Sequence, residues 1–426
     1  MKILYLAHRV PYPPNKGDKI RALWEIKSLS SQHEIDLFCF YDHDEDRNSI
    51  DALRPYCREY YAEPLSWWRS RFQALTAVMR GRPFSLAYFH SNTMARKVKQ
   101  AIAACDYDLM IVFGSAMAPY VDREPGIPCL LDMVDVDSAK WAEYASNSSR
   151  WLRWMWRQEG RLLAAYENHL ATTFAQTLLC TDAEATLLQE AAPQARVDVL
   201  RHMVDTEYFD PDQVGISAEI AALQPYVVFA GSMDYAPNVE AATWFYRHAF
   251  PAMRKRIPQL KFVIVGRNPV KPVVDLGKDS AVRVTGTVPD VRPYFRGAAA
   301  TVAPMQLARG VQNKILESMA MGIPVASSAK AAVAFPPEVA KLILVEDDPQ
   351  RLADRLVDVI ENGPLPPRIE IRRALESVFG DSRLRIRLEY FVQKAVDFGP
   401  DQAKPGSNES PENLAKMEAR ASLTTH

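Results

Sequence analysis

Twelve short apolar runs, each closed by turn residues and followed by a helical pattern, constrain this chain more than any other feature. In the first half they are KILYLA, EIDLFCF, LMIVFG, CLLDMV, TLLCT and VDVL. In the second half they are YVVFAG, KFVIVG, AVRVTG, AATVAP, PVASS and LILV. Strands that are apolar throughout must be covered on both faces, and the intervening helices do the covering, so each set reads as a parallel sheet. A chain of 426 residues exceeds one comfortable core. The expected fold class is therefore α/β, with two tandem Rossmann-like, doubly wound parallel-sheet domains facing a cleft. They are expected at 1–205 and 206–375, joined near VDTEYFDPDQ (204–213). Residues 376–398 read as a C-terminal helix returning toward the N-terminal domain, and 399–426 has the composition of a disordered tail.

Composition excludes several function classes. Net charge is −1, which argues against nucleic-acid binding. The five cysteines (Cys39, Cys57, Cys105, Cys129, Cys180) are scattered without a CxxC pair, which suits a reducing cytosol better than a disulfide framework or a zinc site. The opening MKILYLAHRVPYPP is too short in apolar residues for a signal peptide, and the longest apolar run, LMIVFGSAMAPYV, is too short and broken to span a bilayer. A cytoplasmic protein is expected, with at most peripheral attachment to the inner membrane.

In open α/β sheets, ligands sit at the carboxyl ends of the strands. The densest polar junction there is ARGVQNKILESMAMGIPVAS, 308–327. A helix opening on Gly310 would present free backbone N–H groups to an anion, and Gly310 would let a phosphate approach closely. Gln312 and Asn313 add neutral donors, Lys314 and Arg309 add positive charge, and Glu317 can accept hydrogen bonds from a ribose diol. An ordinary amphipathic helix with solvated charges is the bland alternative. Three further strand ends accompany it. Gly231 and Ser232 end VVFAGS on the phosphate side, Arg267 and Asn268 end FVIVGRN near a base or ribose, and the backbone of Val288 in VTGTVPDVRPYF can meet a nucleobase edge.

These blocks together resemble the donor domain of GT-B glycosyltransferases of family four, the retaining nucleotide-sugar transferases. They run VDTEYFDP, VVFAGSMDYAPNVEAATWF, FVIVGRNP, VTGTVPDVRPYF and GVQNKILESMAMGIPVAS. With RVPYPPNKGDKIR and LLDMVDVDSAKWAEYA in the first half, the chain is most similar to the bacterial exopolysaccharide subgroup associated with PEP-CTERM/exosortase systems, over roughly residues 1–395. The resemblance implies transfer of a sugar from a nucleotide-diphosphate sugar, a UDP-sugar first, to a hydroxyl of a glycan or lipid-linked acceptor. It also implies retained configuration, no metal and no further cofactor. The sequence departs from the family pattern in several places. Arg309 stands at the first position of the usual Glu-x7-Glu pair, leaving Glu317. Ser232 and Asn238 stand where the family carries Arg and Lys, and His202-Met203 replaces Asn-Gly. Lys314 and Arg309 are the replacements expected to stabilise the leaving diphosphate.

In the first domain, NKGDKIR (15–21) follows the first strand. Gly17 there allows close approach, and Lys16, Lys19 and Arg21 add charge. Asp132, Asp135 and Asp137 lie at the carboxyl end of another strand. They can orient or deprotonate an acceptor hydroxyl or ligate a cation, and Asp137 can simply cap a helix. Asp135 is assigned the acceptor role. The Trp/Arg-rich segments SWWRSRFQALTAVMRGRPF and RWLRWMWRQEGRLL are read as membrane-interface helices, against the alternative of a core-facing aromatic stripe. Two other functions remain open on the same scaffold, a nucleotide-sugar epimerase or hydrolase and a catalytically degenerate binding protein.

Overall fold

The computed structural model describes residues 1–398 except 15, 43, 122–125, 147–148, 309 and 365. The chain divides into two compact units: Met1–Arg201 together with the chain from Leu384, and His202–Arg383. The sequence reading set these boundaries at 205 and 375.

In the first unit, seven parallel strands lie in the order β3-β2-β1-β4-β5-β6-β7. They are β1 (Lys2–Ala7), β2 (Glu34–Tyr41), β3 (Glu59–Pro64), β4 (Leu109–Phe113), β5 (Cys129–Val134), β6 (Gln176–Leu179) and β7 (Val197–Val199). Central β1 is buried on both faces, with Tyr5 paired to Leu37 on one side and Ile111 on the other. Strand β3, EYYAEP, is the one strand missed in the sequence. As an edge strand it is only half covered, so it carries no continuous apolar run.

The second unit holds six parallel strands in the order β10-β9-β8-β11-β12-β13. They are β8 (Tyr226–Ala230), β9 (Lys261–Val265), β10 (Val282–Val284), β11 (Ala300–Ala303), β12 (Val325–Ser327) and β13 (Leu344–Val345). Alternate residues of β8 feed two different cores. Val227 and Phe229 join one, and Tyr226, Val228 and Ala230 the other, which is the period-two signature of a strand covered on both sides.

Beyond the second sheet the chain forms helices Arg368–Phe379 and Asp381–Asp397. They break at Gly380, where a Cβ would sit 2.5 Å from the Glu376 carbonyl. The last helix is tied within the first unit by Lys394 to Asp198 at 2.6 Å and His33 to Glu389 at 2.9 Å. The aromatic stripe of helix Arg150–Thr173 is partly internal, since Trp156 stacks on Trp141 at 5.0 Å and lies 5.9 Å from Phe84. These ring contacts occupy that part of the stripe with the protein's own aromatics.

Candidate functional site: the strand ends of the second unit

The carboxyl ends of β8 and β9 are pressed together. A Cβ at Gly266 would fall 1.7 Å from the Gly231 carbonyl oxygen, so no other residue fits there. Gly231 N–H donates to Val265 O at 3.0 Å, and Met233 N–H donates to Arg267 O at 2.8 Å. This stitching brings the two turns side by side. Arg267 Nε donates to Ser232 Oγ at 2.8 Å, and Asn268, at φ 53°, donates to Asp234 at 3.0 Å. Arg267 thus reaches from one strand end to the polar group of the other.

Gly231 packs against its own chain at the strand end. The space its missing side chain leaves is filled by the Asn238 amide, 2.7 Å from where a Cβ would stand, and not left open to a ligand. Asn238, in helix Ala236–His248, is buried and joins three segments. Its Nδ2 donates to Ser232 O at 3.0 Å, and its Oδ1 accepts from Lys314 Nζ at 3.0 Å.

After β11 the chain runs through Met305 to helix Asn313–Ala320, which opens three residues later than the Gly310 start read from the sequence. Gly310 precedes it at φ 59°. Gln312 is the N-cap residue, and its own side chain makes no cap hydrogen bond, so backbone N–H groups at the helix start are left to offer. Arg309 lies outside the described residues.

Lys314 is 7% exposed, and its ammonium meets neutral partners: Asn238, Gln312 Oε1 at 3.4 Å, Met305 Sδ at 3.7 Å and the Phe229 ring at 5.1 Å. Among the described residues no carboxylate lies within 4.0 Å of it. Burial therefore pulls Lys314 down to about 8, and Glu317 only partly opposes the shift. Glu317, three residues on along the same helical face, is half-buried, and loss of water pushes it up to about 7 against the pull of Lys314. A buried cation without an anion is costly, and an arriving phosphate would offset that cost.

A neighbouring cluster lies in a segment whose Asp and Arg the sequence analysis does not single out. Asp290 and Arg292 of VPDVRPYF pair at 2.8 Å, and Arg292 stacks over the Tyr208 ring at 3.8 Å while donating to Tyr208 O. Tyr208 is raised by burial and by Asp290, with a smaller contribution from Glu317. The signal available in the sequence was the Asp-x-Arg spacing. Val288 itself is half-buried against the second core of the unit.

The first-unit candidates are more heavily engaged by their own chain. Gly17 opens helix Gly17–Leu29, which has no side-chain cap. Lys19 is buried and paired with buried Asp46 at 2.6 Å, so its charge is already neutralised and the donor-binding role read for it is corrected to a structural one. Arg21 is likewise a strut, 2.6 Å from Asp132, 3.2 Å from Glu25 and 2.8 Å from Leu200 O. Asp135 follows Val134, a β-branched residue held at φ 67° where the β5–β6 register shifts, and it accepts from the Cys180 thiol at 3.0 Å. The helix Asp137–Ser146 is capped by Glu167, which accepts from Ser138 N–H at 3.2 Å and which burial pushes up to about 8. Among the described residues there is no group of three or more His, Cys, Asp or Glu able to hold a metal ion, and no helix long and apolar enough to cross a membrane.

Residues 224–362 match the family described as glycosyl transferases group 1. Over 373 residues, covering 85% of this chain and 91% of the relative, the sequence is 19% identical to an uncharacterized 44.6 kDa protein in the cps region of Klebsiella pneumoniae. Among solved structures, Anabaena HepE in complex with UDP and glucose superposes with a TM-score of 0.61 at 14% identity, covering 92% of this chain and 99% of that one. Sucrose-phosphate synthase from Thermosynechococcus elongatus superposes with a TM-score of 0.64 at 15% identity, covering 92% and 98%. TarM gives 0.62 at 10% identity, covering 92% and 98%. At these identities the structural likeness carries the fold alone, and that fold is GT-B.

Proposed function

We propose that this chain, a glycosyltransferase of the GT-B type with a group 1 domain over 224–362, transfers a sugar from a nucleotide-diphosphate sugar to an acceptor hydroxyl with retention of configuration. The observation that carries the reading is Lys314, a buried ammonium without an anionic partner among the described residues, beside an uncapped helix start. A diphosphate supplies the missing anion. Lys314 and the N–H groups at the start of helix Asn313–Ala320 then stabilise the charge that builds on the leaving diphosphate as its bond to the anomeric carbon breaks.

The strand end of β8 lacks a cation, and Arg267, bonded to Ser232, supplies one from β9. Gln312 and Asn313 act as neutral donors at the same junction, and Arg309 adds a second charge. Glu317 accepts from the ribose diol as a carboxylate. The acceptor oxygen forms the new bond to the anomeric carbon, and Asp135 is proposed to take its proton.

UDP is the first nucleotide to test, because Anabaena HepE was solved with UDP and with UDP-glucose. The relative in a cps region supports polysaccharide synthesis as the setting, with a glycan or lipid-linked acceptor.

The test is product analysis of the purified protein with UDP-sugars, with and without a bacterial lipid or glycan extract as acceptor. Transfer that depends on acceptor supports the reading. Free sugar or an epimerised nucleotide sugar made without acceptor would replace it with the hydrolase or epimerase reading. Binding without turnover under any acceptor would make the chain a degenerate binder.

A further inference from the structure

Helix Trp67–Met79 of the first unit carries an uncovered apolar face. Trp68, Phe72, Leu75 and Met79 recur at spacings of four, three and four, which is one stripe on a helix. They are 78%, 69%, 61% and 82% exposed. The buried residues of this helix are Ser70 and Ala77. The helix is thus anchored by small residues and turns its large ones outward, the reverse of what apolar burial selects on a water-facing surface.

The charge around this stripe has one sign. From Pro64 to Cys105 the sequence contains seven Lys or Arg and no Asp or Glu. Arg69, Arg71, Arg80 and Arg82 are exposed on or beside the helix. Arg71 lies 3.9 Å over the Trp67 ring, and Trp67 meets Trp68 edge-on at 4.3 Å. Behind the helix is a cavity of about 400 Å³ with apolar walls such as Leu86 and Phe89 and with Arg80 and Arg82 among its lining, which suits a molecule with an apolar body and an anionic end.

We propose that the Trp68–Phe72–Leu75–Met79 face seats the protein on a bilayer surface rich in anionic lipid. The stripe enters the acyl boundary, the tryptophans lie at headgroup level, and the arginines meet lipid phosphates. Charge favours this occupant over a second copy of the chain, which would bring two basic faces together. The chain's own residues 399–426 offer only Leu414, Met417 and Leu423 as large apolar side chains, with no aromatic residue, Ile or Val to set against the stripe.

The test is co-flotation of the full chain with vesicles of phosphatidylcholine alone and of phosphatidylcholine mixed with phosphatidylglycerol. No nucleotide is present, so the result is independent of the donor-site reading. The protein is expected to float with the mixed vesicles and little with the neutral ones. The double variant Phe72→Glu/Leu75→Glu should lower partitioning roughly a hundredfold, and Arg69→Gln/Arg71→Gln roughly tenfold. Because these side chains are exposed, unchanged circular dichroism and melting temperature check that both variants fold. Three results would overturn the proposal: no flotation of the unmodified protein with mixed vesicles, equal flotation of the glutamate variant, or a concentration-dependent dimer that the glutamate pair dissociates.

Discussion

Lys314 is placed where burial makes its charge a liability, one that the proposed diphosphate would relieve. A fall from 10.5 to about 8 corresponds to about 3 kcal/mol held against folding at neutral pH. The sign follows from proton counting. Between about 8 and 10.5 the unfolded chain holds the proton that the folded chain has lost, so stability from this group rises with pH across that window, and the full cost applies below it. Lys314→Met should therefore raise the melting temperature at neutral pH while strongly weakening nucleotide-diphosphate binding. A simple packing residue would lose stability instead, and thermal melts of the two proteins distinguish the cases. The same pair of groups sets a pH dependence for binding. Diphosphate binding needs Lys314 charged and so falls above about 8, whereas ribose binding needs Glu317 ionised and so falls below about 7. Calorimetric affinity for UDP should be bell-shaped with its maximum between the two, and Glu317→Gln should remove the acid limb. The residue types at this junction were legible because a Gly, two amides, a Lys and a Glu fall within ten positions. Their burial was not, since Asn238 and Met305 reach Lys314 through tertiary packing that no local spacing reports.

At the scale of elements, the β8–β9 contact fixes where Ser232 and Arg267 stand. Gly266→Ala has no space, and backbone would have to move, so a loss of several kcal/mol is expected in chemical denaturation. Gly81→Ala is a weaker control: the site is exposed with no atom within 4 Å of an added Cβ, though its φ of 63° carries a modest backbone cost. In the first unit, Arg21→Ala would leave Asp132 and Glu25 facing each other without their cation. A destabilisation of about 3–5 kcal/mol is expected from urea melts. Periodicity revealed twelve of the thirteen strands among the described residues, because each carries a short apolar run, and it missed β3, an edge strand whose EYYAEP has none. It also placed the helix start at Gly310. The helix itself begins at Asn313, because the positive φ of Gly310 turns the chain before regular hydrogen bonding sets in. Lys19 and Arg21 looked like phosphate cations in the sequence, and only long-range pairing, with Asp46 and Asp132, shows them engaged.

At the scale of the molecule, two parallel-sheet units account for the twelve apolar runs, and the second unit holds the junctions that the sequence singled out. The residues proposed for the donor come from β8, β9 and the helix after β11, so the proposed site is a property of sheet order as much as of any motif. The account rests on one claim, that Lys314 and the adjacent helix start hold the diphosphate of a nucleotide sugar. Isothermal titration of the full chain and of Lys314→Met with UDP and with uridine, between pH 7 and 8, tests it directly. The account predicts that the variant binds UDP at least roughly a hundredfold more weakly while any binding of uridine is unchanged. Equal affinity of both proteins for UDP would contradict it and return Lys314 to the role of an unusually buried helix residue.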